Sequence, residues 1–316
     1  MSIVTSGRDV AAETRAFNEN LASTLASTPK VYEVDDAAAL RKGSRGFPAP
    51  TLLEEAEERT VPGRGGDITI RVLVPPTVSG VFVYLHGGGF VLGSARNQDV
   101  RLWDLARAAS VATVAVEYRL APEHPHPAAV DDCTDVARWL ADHAADEFGA
   151  DEIVVGGESA GATLAVLTLL RLRDEAAHRR FRAAYLAYGP YDMSLTPSAR
   201  AYGERDLVTS TQAERWFRAQ AFPGRTGEEL RDPAVSPLYA DLRDLPRARF
   251  VVGSEDPLLD DTLFMVERWR AAGNEAALDV VAEAPHGFTA FPLKVAAREQ
   301  FRLHDFVARA LGHRPR

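Results

Sequence analysis

Among its 316 residues the chain has a single cysteine, Cys133. That excludes an intrachain disulfide and a cysteine-based metal site. Cys133 sits at helical spacing among the apolar residues of 130–136, which reads as a small buried thiol. Basic residues are also scarce: 36 Lys and Arg face 45 Asp and Glu, for a formal charge of −9. Nucleic acid and anionic membrane surfaces attract basic faces, so neither is expected as a partner. No stretch of 18 apolar residues occurs, and residues 1–9 contain no apolar h-region. Stable membrane insertion is therefore not expected, and the expected location is the cytoplasm. Internal repeats and low-complexity tracts are missing too. What remains, 46% apolar and 26% charged residues, is the composition of a globular chain with a sizeable core, read as one domain over 1–316 with an accessory layer.

Residues 9–28 show helical spacing, and a loop rich in Gly, Arg and Pro follows at 41–50. This leading segment reads as separate from the core. Strand-like runs at 58–61 and 68–74, the second ended by Pro75-Pro76, predict an antiparallel hairpin at a sheet edge. From residue 80 onward short apolar runs alternate with amphipathic segments, the signature of βαβ units and a parallel sheet. The strands are expected at 81–85, 112–117, 153–156, 184–188, 249–252 and 277–281. The helices are expected near 97–109, 127–146, 159–173, 258–272 and 292–311. Right-handed crossovers would place every strand's C-terminal end on one rim, where chemistry belongs. One stretch, between Tyr191 and Leu245, breaks the alternation with a helix at 209–221 among loops. Its length marks it as a lid that pairs with the N-terminal helix.

On that rim, Gly157-Glu158-Ser159-Ala160-Gly161 lies between a strand and a helix. Its glycines permit the tight turn that exposes a serine hydroxyl, and the helix start aims N–H dipoles at developing negative charge. A hydroxyl nucleophile needs a base, and the base an orienting acid. His286 follows the strand ending near Val281, and Asp256, before Pro257, follows the strand ending near Val252. The rivals fit less well: His304 lies inside an amphipathic helix, Asp260 and Asp261 lie within the next helix, and Glu255 points the other way. Strand 81–85 runs into His86-Gly87-Gly88-Gly89-Phe90, whose bare backbone N–H groups can approach an oxyanion, with Ala160 N–H on the other side. His86 itself reads as an anchor of that loop.

These motifs, together with Tyr118-Arg119-Leu120-Ala121-Pro122-Glu123, Asp256-Pro257-Leu258 and His286-Gly287-Phe288, resemble those of the hormone-sensitive-lipase-like bacterial carboxylesterases of the α/β-hydrolase superfamily. The resemblance covers roughly residues 65–312. It implies an α/β-hydrolase fold, with a mostly parallel eight-stranded sheet flanked by helices and a helical cap from about 1–45 and 192–234. It further implies a triad of Ser159, Asp256 and His286, oxyanion donors from Gly88, Gly89 and Ala160, and a supporting role for 118–123. His124 and His126 resemble a metal pair only superficially, and no cofactor is expected. Two positions depart from the family: the residue before the serine is more often Asp, and Gly161 is often followed by Gly, where this chain has Glu158 and Ala162.

The expected substrate is a small ester of short to medium acyl chain. Phe90, Tyr188, Trp216, Phe217 and Phe288 are candidates to line its pocket, and each fits core packing equally well. Amide, lactone or aryl-formamide hydrolysis uses the same triad. A non-catalytic receptor on this fold is a third reading, against which His286 argues. Monomer or homodimer, through an edge strand or the cap, is left open.

Overall fold

Short unbroken apolar runs can be hidden only in a sheet covered on both faces. The computed structural model describes residues 2–4, 8–34, 36–42, 50–175, 178–205 and 207–314, and it has that arrangement. The strands are β1 (Ser2–Val4), β2 (Glu57–Val61), β3 (Ile68–Leu73), β4 (Val81–Leu85), β5 (Ala112–Val116), β6 (Ile153–Glu158), β7 (Phe181–Ala187), β8 (Arg247–Gly253) and β9 (Ala276–Val281). They form one sheet in the order β1-β9-β8-β7-β6-β4-β5-β3-β2. β2 and β3 are antiparallel, as are β3 and β5; the other neighbours are parallel. The eight strands from β2 onward are the expected sheet with its edge hairpin. β1 is additional, three residues paired with β9 at the opposite edge.

The helices are α1 (Arg8–Ala26), α2 (Ala37–Lys42), α3 (Asp99–Ala109), α4 (Ala128–Phe148), α5 (Ala160–Asp174), α6 (Pro197–Ala201), α7 (Thr211–Ala221), α8 (Leu259–Ala271) and α9 (Lys294–Ala310). β4, β5 and β6 are buried at every position, and α5 is buried almost all round because it packs between the sheet and α4. Cys133 is fully buried in α4, as expected. No helix among the described residues is long and apolar enough to cross a membrane. β4 has β5 on one side and β6 on the other, so the strand order reverses there. Ligands of open α/β sheets bind at such a reversal, beyond the strands' carboxyl ends.

Differences from expectation have local causes. The strand at 184–188 begins earlier and stops at Ala187, because Tyr188 takes φ 40° and cannot continue it. The helix expected from 97 starts as a 3₁₀ turn, Ala95–Gln98, capped by Ser94 Oγ. The helix expected from 209 starts at Thr211, where Ser210 Oγ accepts from the Ala213 amide. Of the loop expected at 41–50, Arg41 and Lys42 belong to α2, and 43–49 lie outside the described residues. The leading segment is not separate from the core. Val10 of α1 joins the main core, Phe17 lies 4.8 Å from Phe291, ring to ring, and Asn18 Nδ2 donates to Glu283 O over 2.8 Å. Further along, Val31 and Leu40 form a small apolar cluster with Ala213 of α7, flanked by Trp216 and Phe217. The Arg41 guanidinium donates to Val91 O and Ala121 O, tying this segment to two rim loops. The residues that meet the inserted helix α7 are thus Val31 and Leu40, which come after α1, the helix expected to pair with it.

One buried ion pair fixes α3 against the sheet. Arg71 of β3 donates to both oxygens of Asp99 at 2.5 and 2.6 Å, and Asp99, 1% exposed, also accepts from the Leu53 amide. Removing one partner of such a pair leaves a buried charge uncompensated. Asp99→Ala should therefore lose about 3–5 kcal/mol in urea unfolding followed by circular dichroism. The double variant Arg71→Met/Asp99→Leu should recover most of it. A single variant as stable as the parent would contradict this.

Candidate active site

β6 passes into α5 through Ser159, which holds φ 53°, ψ −124°, a strained combination for a residue with a Cβ. The turn closes so tightly that a Cβ on Gly157 would stand 2.2 Å from Gly161 O, and one on Gly161 2.0 Å from Leu85 O. Only glycine fits either position. The Ser159 amide donates to Ala187 O at 2.9 Å, and Ser159 O accepts from the Ala162 amide, so the turn is pinned on both sides.

The hydroxyl so presented meets an imidazole. Ser159 Oγ lies 3.0 Å from His286 Nε2, and His286 Nδ1 lies 2.9 and 3.1 Å from the two oxygens of Asp256. An ionised carboxylate can only accept, so Nδ1 carries the hydrogen and Nε2 is left to accept from the serine. Asp256 follows β8, is 3% exposed, and is held by the Leu258 amide on Oδ1. His286 follows β9 and is also buried. Burial works against a charged imidazole. The Asp256 carboxylate, by charge and by hydrogen bond, outweighs it with help from Glu214 and Glu158, so the His286 pKa lies above its ordinary 6.5.

The glycine loop after β4 lies against this pair: a Cβ on Gly87 would stand 3.3 Å from Ser159 Cβ. Gly88 and Gly89 take φ 121° and 62°. The amides of Gly88, Gly89 and Ala160 have no acceptor among the described residues. His86 anchors the loop as expected. Its Nδ1 lies 2.8 Å from Gly87 O, its ring stacks on Tyr118 at 4.0 Å, and the Tyr118 hydroxyl donates to His86 O.

The rivals lie elsewhere. His304, on α9, contacts Gln300. Glu255 pairs with Arg205, Asp260 accepts from the Ser198 amide, and Asp261 accepts from the Tyr191 and Asp192 amides and from Thr196 Oγ1. Burial raises the Asp261 carboxyl to about 7 against the charge of Arg218.

Of the aromatic candidates, Tyr188 stands edge-on to the His286 ring at 5.0 Å. Phe217 covers Gly89, where a Cβ would come within 2.3 Å of its ring. Phe90 meets Phe222. Trp216 borders the Val31–Leu40–Ala213 cluster, and Phe288 is fully buried in the core. A slight hollow beside Phe90 is lined by His124, His126, Leu164, Leu167 and Phe222, none of which the sequence marked as pocket residues. Burial lowers the His126 pKa to about 4, with Arg225 and Arg171 adding to it. Glu214 of α7 was missed as well, although the burial of Glu214, Arg218 and Ala221 follows the i, i+4, i+7 spacing of one helix face.

The chain is similar to known proteins. The model of the alpha/beta hydrolase fold family matches residues 82–290. The carboxylic ester hydrolase LipN of Mycobacterium tuberculosis is 31% identical over 305 residues, covering 90% of this chain and 80% of that protein. The ethyl acetate hydrolase of Pseudomonas putida is 32% identical over 232 residues, covering 71% and 72%. Among solved structures, a hyperthermophilic esterase from the archaeon Pyrobaculum calidifontis matches with a TM-score of 0.85 at 29% identity, covering 94% of this chain and 98% of that one.

The shift at His286 has a direct check. In an NMR titration its imidazole should have a midpoint above pH 6.5; in Asp256→Asn, where burial acts without the carboxylate, the midpoint should fall below that of the parent. Equal midpoints in the two proteins would show that Asp256 is not the cause.

Proposed function

The chain belongs to the hormone-sensitive-lipase-like esterases of the α/β-hydrolase fold, and on that premise we propose that its carboxylic ester hydrolysis runs through Ser159 as nucleophile, His286 as base and Asp256 as orienting acid. The observation that carries this reading is the unbroken chain from Ser159 Oγ through both ring nitrogens of His286 to Asp256. Ser159 Oγ attacks the ester carbonyl carbon while its proton passes to His286 Nε2. The carbonyl oxygen becomes an oxyanion that the free amides of Gly88, Gly89 and Ala160 are available to bind. His286 then protonates the departing alkoxide, leaving an acyl-enzyme. Water repeats the sequence, releasing the acid and restoring the serine. Asp256 holds the ring's tautomer and stabilises the imidazolium without taking the proton.

The helical cap is read as about 1–45 together with 192–234, with Phe217 lying against Gly89 of the oxyanion loop and Phe222 against Phe90. The substrates are read as esters of short to medium acyl chain. The ethyl acetate hydrolase among the relatives supports the short end. An acidic chain with one buried thiol is consistent with a cytoplasmic enzyme.

Ser159→Ala should abolish p-nitrophenyl butyrate hydrolysis and fluorophosphonate labelling while leaving the circular dichroism spectrum unchanged. Asp256→Asn should lower kcat by about 10⁴, the effect of mis-setting the imidazole tautomer. Near-normal turnover in Ser159→Ala would refute the assignment.

A further inference from the structure

Glu158 is the residue immediately before Ser159 and the last of β6. Its carboxylate is buried, 5% exposed, and has more partners than an ion pair needs. Arg101 of α3 donates Nη2 to Oε1 at 2.5 Å and Nη1 to Oε2 at 3.3 Å. Thr289, three residues past His286, donates its hydroxyl to the same Oε1 at 3.2 Å. With that hydrogen committed, Thr289 Oγ1 must accept from the Tyr188 hydroxyl, with which it is also paired. Tyr188 in turn donates its amide to Val251 O and lies edge-on to the His286 ring. Arg101 is itself bound to Gln300 of α9 through Nε, and Gln300 reaches back to Arg101 O. One carboxylate therefore joins the turn that holds Ser159 to the loop that holds His286, and two helices hold that carboxylate in place.

We propose that Glu158 is a positioning residue that sets the Ser159–His286 pair, clamping the serine turn to the histidine loop through Thr289 and Tyr188, with Arg101 as its fixed counter-ion. The inference rests on the reading of Ser159 and His286 as nucleophile and base. It differs from simple bracing of the fold because the linkage runs through the two loops whose separation decides whether the serine proton can be transferred, and misplacement by about 1 Å can cost on the order of 10²-fold in rate.

Charge supplies a second readout. The groups facing His286 are Asp256 after β8, Glu214 on α7, Glu158 at the end of β6 and Tyr188 after β7. Those facing Glu158 are Arg101 on α3, Tyr84 on β4, Tyr185 and Tyr188 on β7 and at its end, and Thr289. Glu158→Gln removes a negative charge near the imidazole and leaves the Arg101 cation unbalanced. Both changes disfavour imidazolium, so the acid limb of kcat/KM moves to lower pH.

The test uses the full-length enzyme and p-nitrophenyl butyrate. Glu158→Gln should lower kcat by on the order of 10²-fold with KM nearly unchanged, and shift the acid limb down. In Arg101→Met/Glu158→Gln both charges are gone, so the limb should return to its wild-type position while kcat stays low. Thr289→Val, which leaves the ion pair intact, should lower kcat without moving the limb, and Thr289→Ser should restore it. The proposal is overturned if Glu158→Gln keeps wild-type kcat and limb, or if Thr289→Val and Thr289→Ser turn over alike. Should Glu158→Gln fail to fold, the Thr289 pair decides alone. Wild-type hydrolysis and fluorophosphonate labelling test the triad independently, so failure there is distinct from failure here.

Discussion

The turn at Ser159 is the constraint on which the other parts of the site depend. A residue with a Cβ held at φ 53°, ψ −124° pays on the order of 1–3 kcal/mol in backbone strain. The strain persists because β6 is buried at every position between β4 and β7, and α5 behind it is buried from Ala160 to Leu170. Both ends of the turn are thus fixed by packing, and the two glycines are the only side-chain solution to the space between them. The glycine loop follows from the same crowding, since Gly161 comes up against Leu85 O and His86 O at the end of β4. The backbone that would receive an oxyanion is thereby held beside the serine by the contact that shapes the serine's own turn.

Buried charge does a different job. Arg71–Asp99 and Arg101–Glu158 both anchor the first turn of α3, one to the edge hairpin and one to the serine turn. Arg249 of β8 meets Glu299 of α9 at 2.8 Å, and Glu299 also accepts from Tyr185 of β7. Such pairs add little net stability, because desolvation consumes most of their attraction, but a helix that slides by one residue breaks them. Their value lies in register: α3 and α9 are held at one setting against the sheet face beneath the site.

Much of this was legible in the sequence because the informative patterns are local. The serine motif lies between an apolar strand and an apolar helix, and Asp256 and His286 each come just past a strand, so order along the chain gave order along the rim. The strand alternation survived in the structure because a sheet buried on both faces demands unbroken apolar runs. What was not legible depends on contacts without a local signature. Arg101 and Glu158 are 57 positions apart, and nothing near either announces the other. Glu214 is acidic on an amphipathic helix, a pattern that reads as solvated until α7 is seen to bury its Glu214–Arg218–Ala221 face, where Glu214 accepts from Thr209 Oγ1. β1 has only three residues, too few for any periodicity. The leading helix looked detachable because its anchors, Glu283 and Phe291, are separated from it by most of the chain.

Strand order also explains why an imidazole from the loop after β9 can reach both Ser159 and Asp256. Neighbouring strands stand ~5 Å apart, so the ends of β6 and β8, with β7 between them, are separated by roughly 10 Å. A serine on one and an aspartate on the other cannot touch. An imidazole laid between them spans the gap with a hydrogen bond at each ring nitrogen, 3.0 Å to the serine and 2.9 Å to the aspartate. That ring has to lie across the end of β7, so β7 must stop short and leave room. Its continuation does so at Tyr188, whose positive φ turns the chain out of the strand and sets the phenol edge-on to the imidazole. The hydroxyl of the same tyrosine reaches Thr289 on the histidine loop. A single left-handed residue at the end of β7 therefore both opens the space for the imidazole and supplies one wall and one tether for its loop.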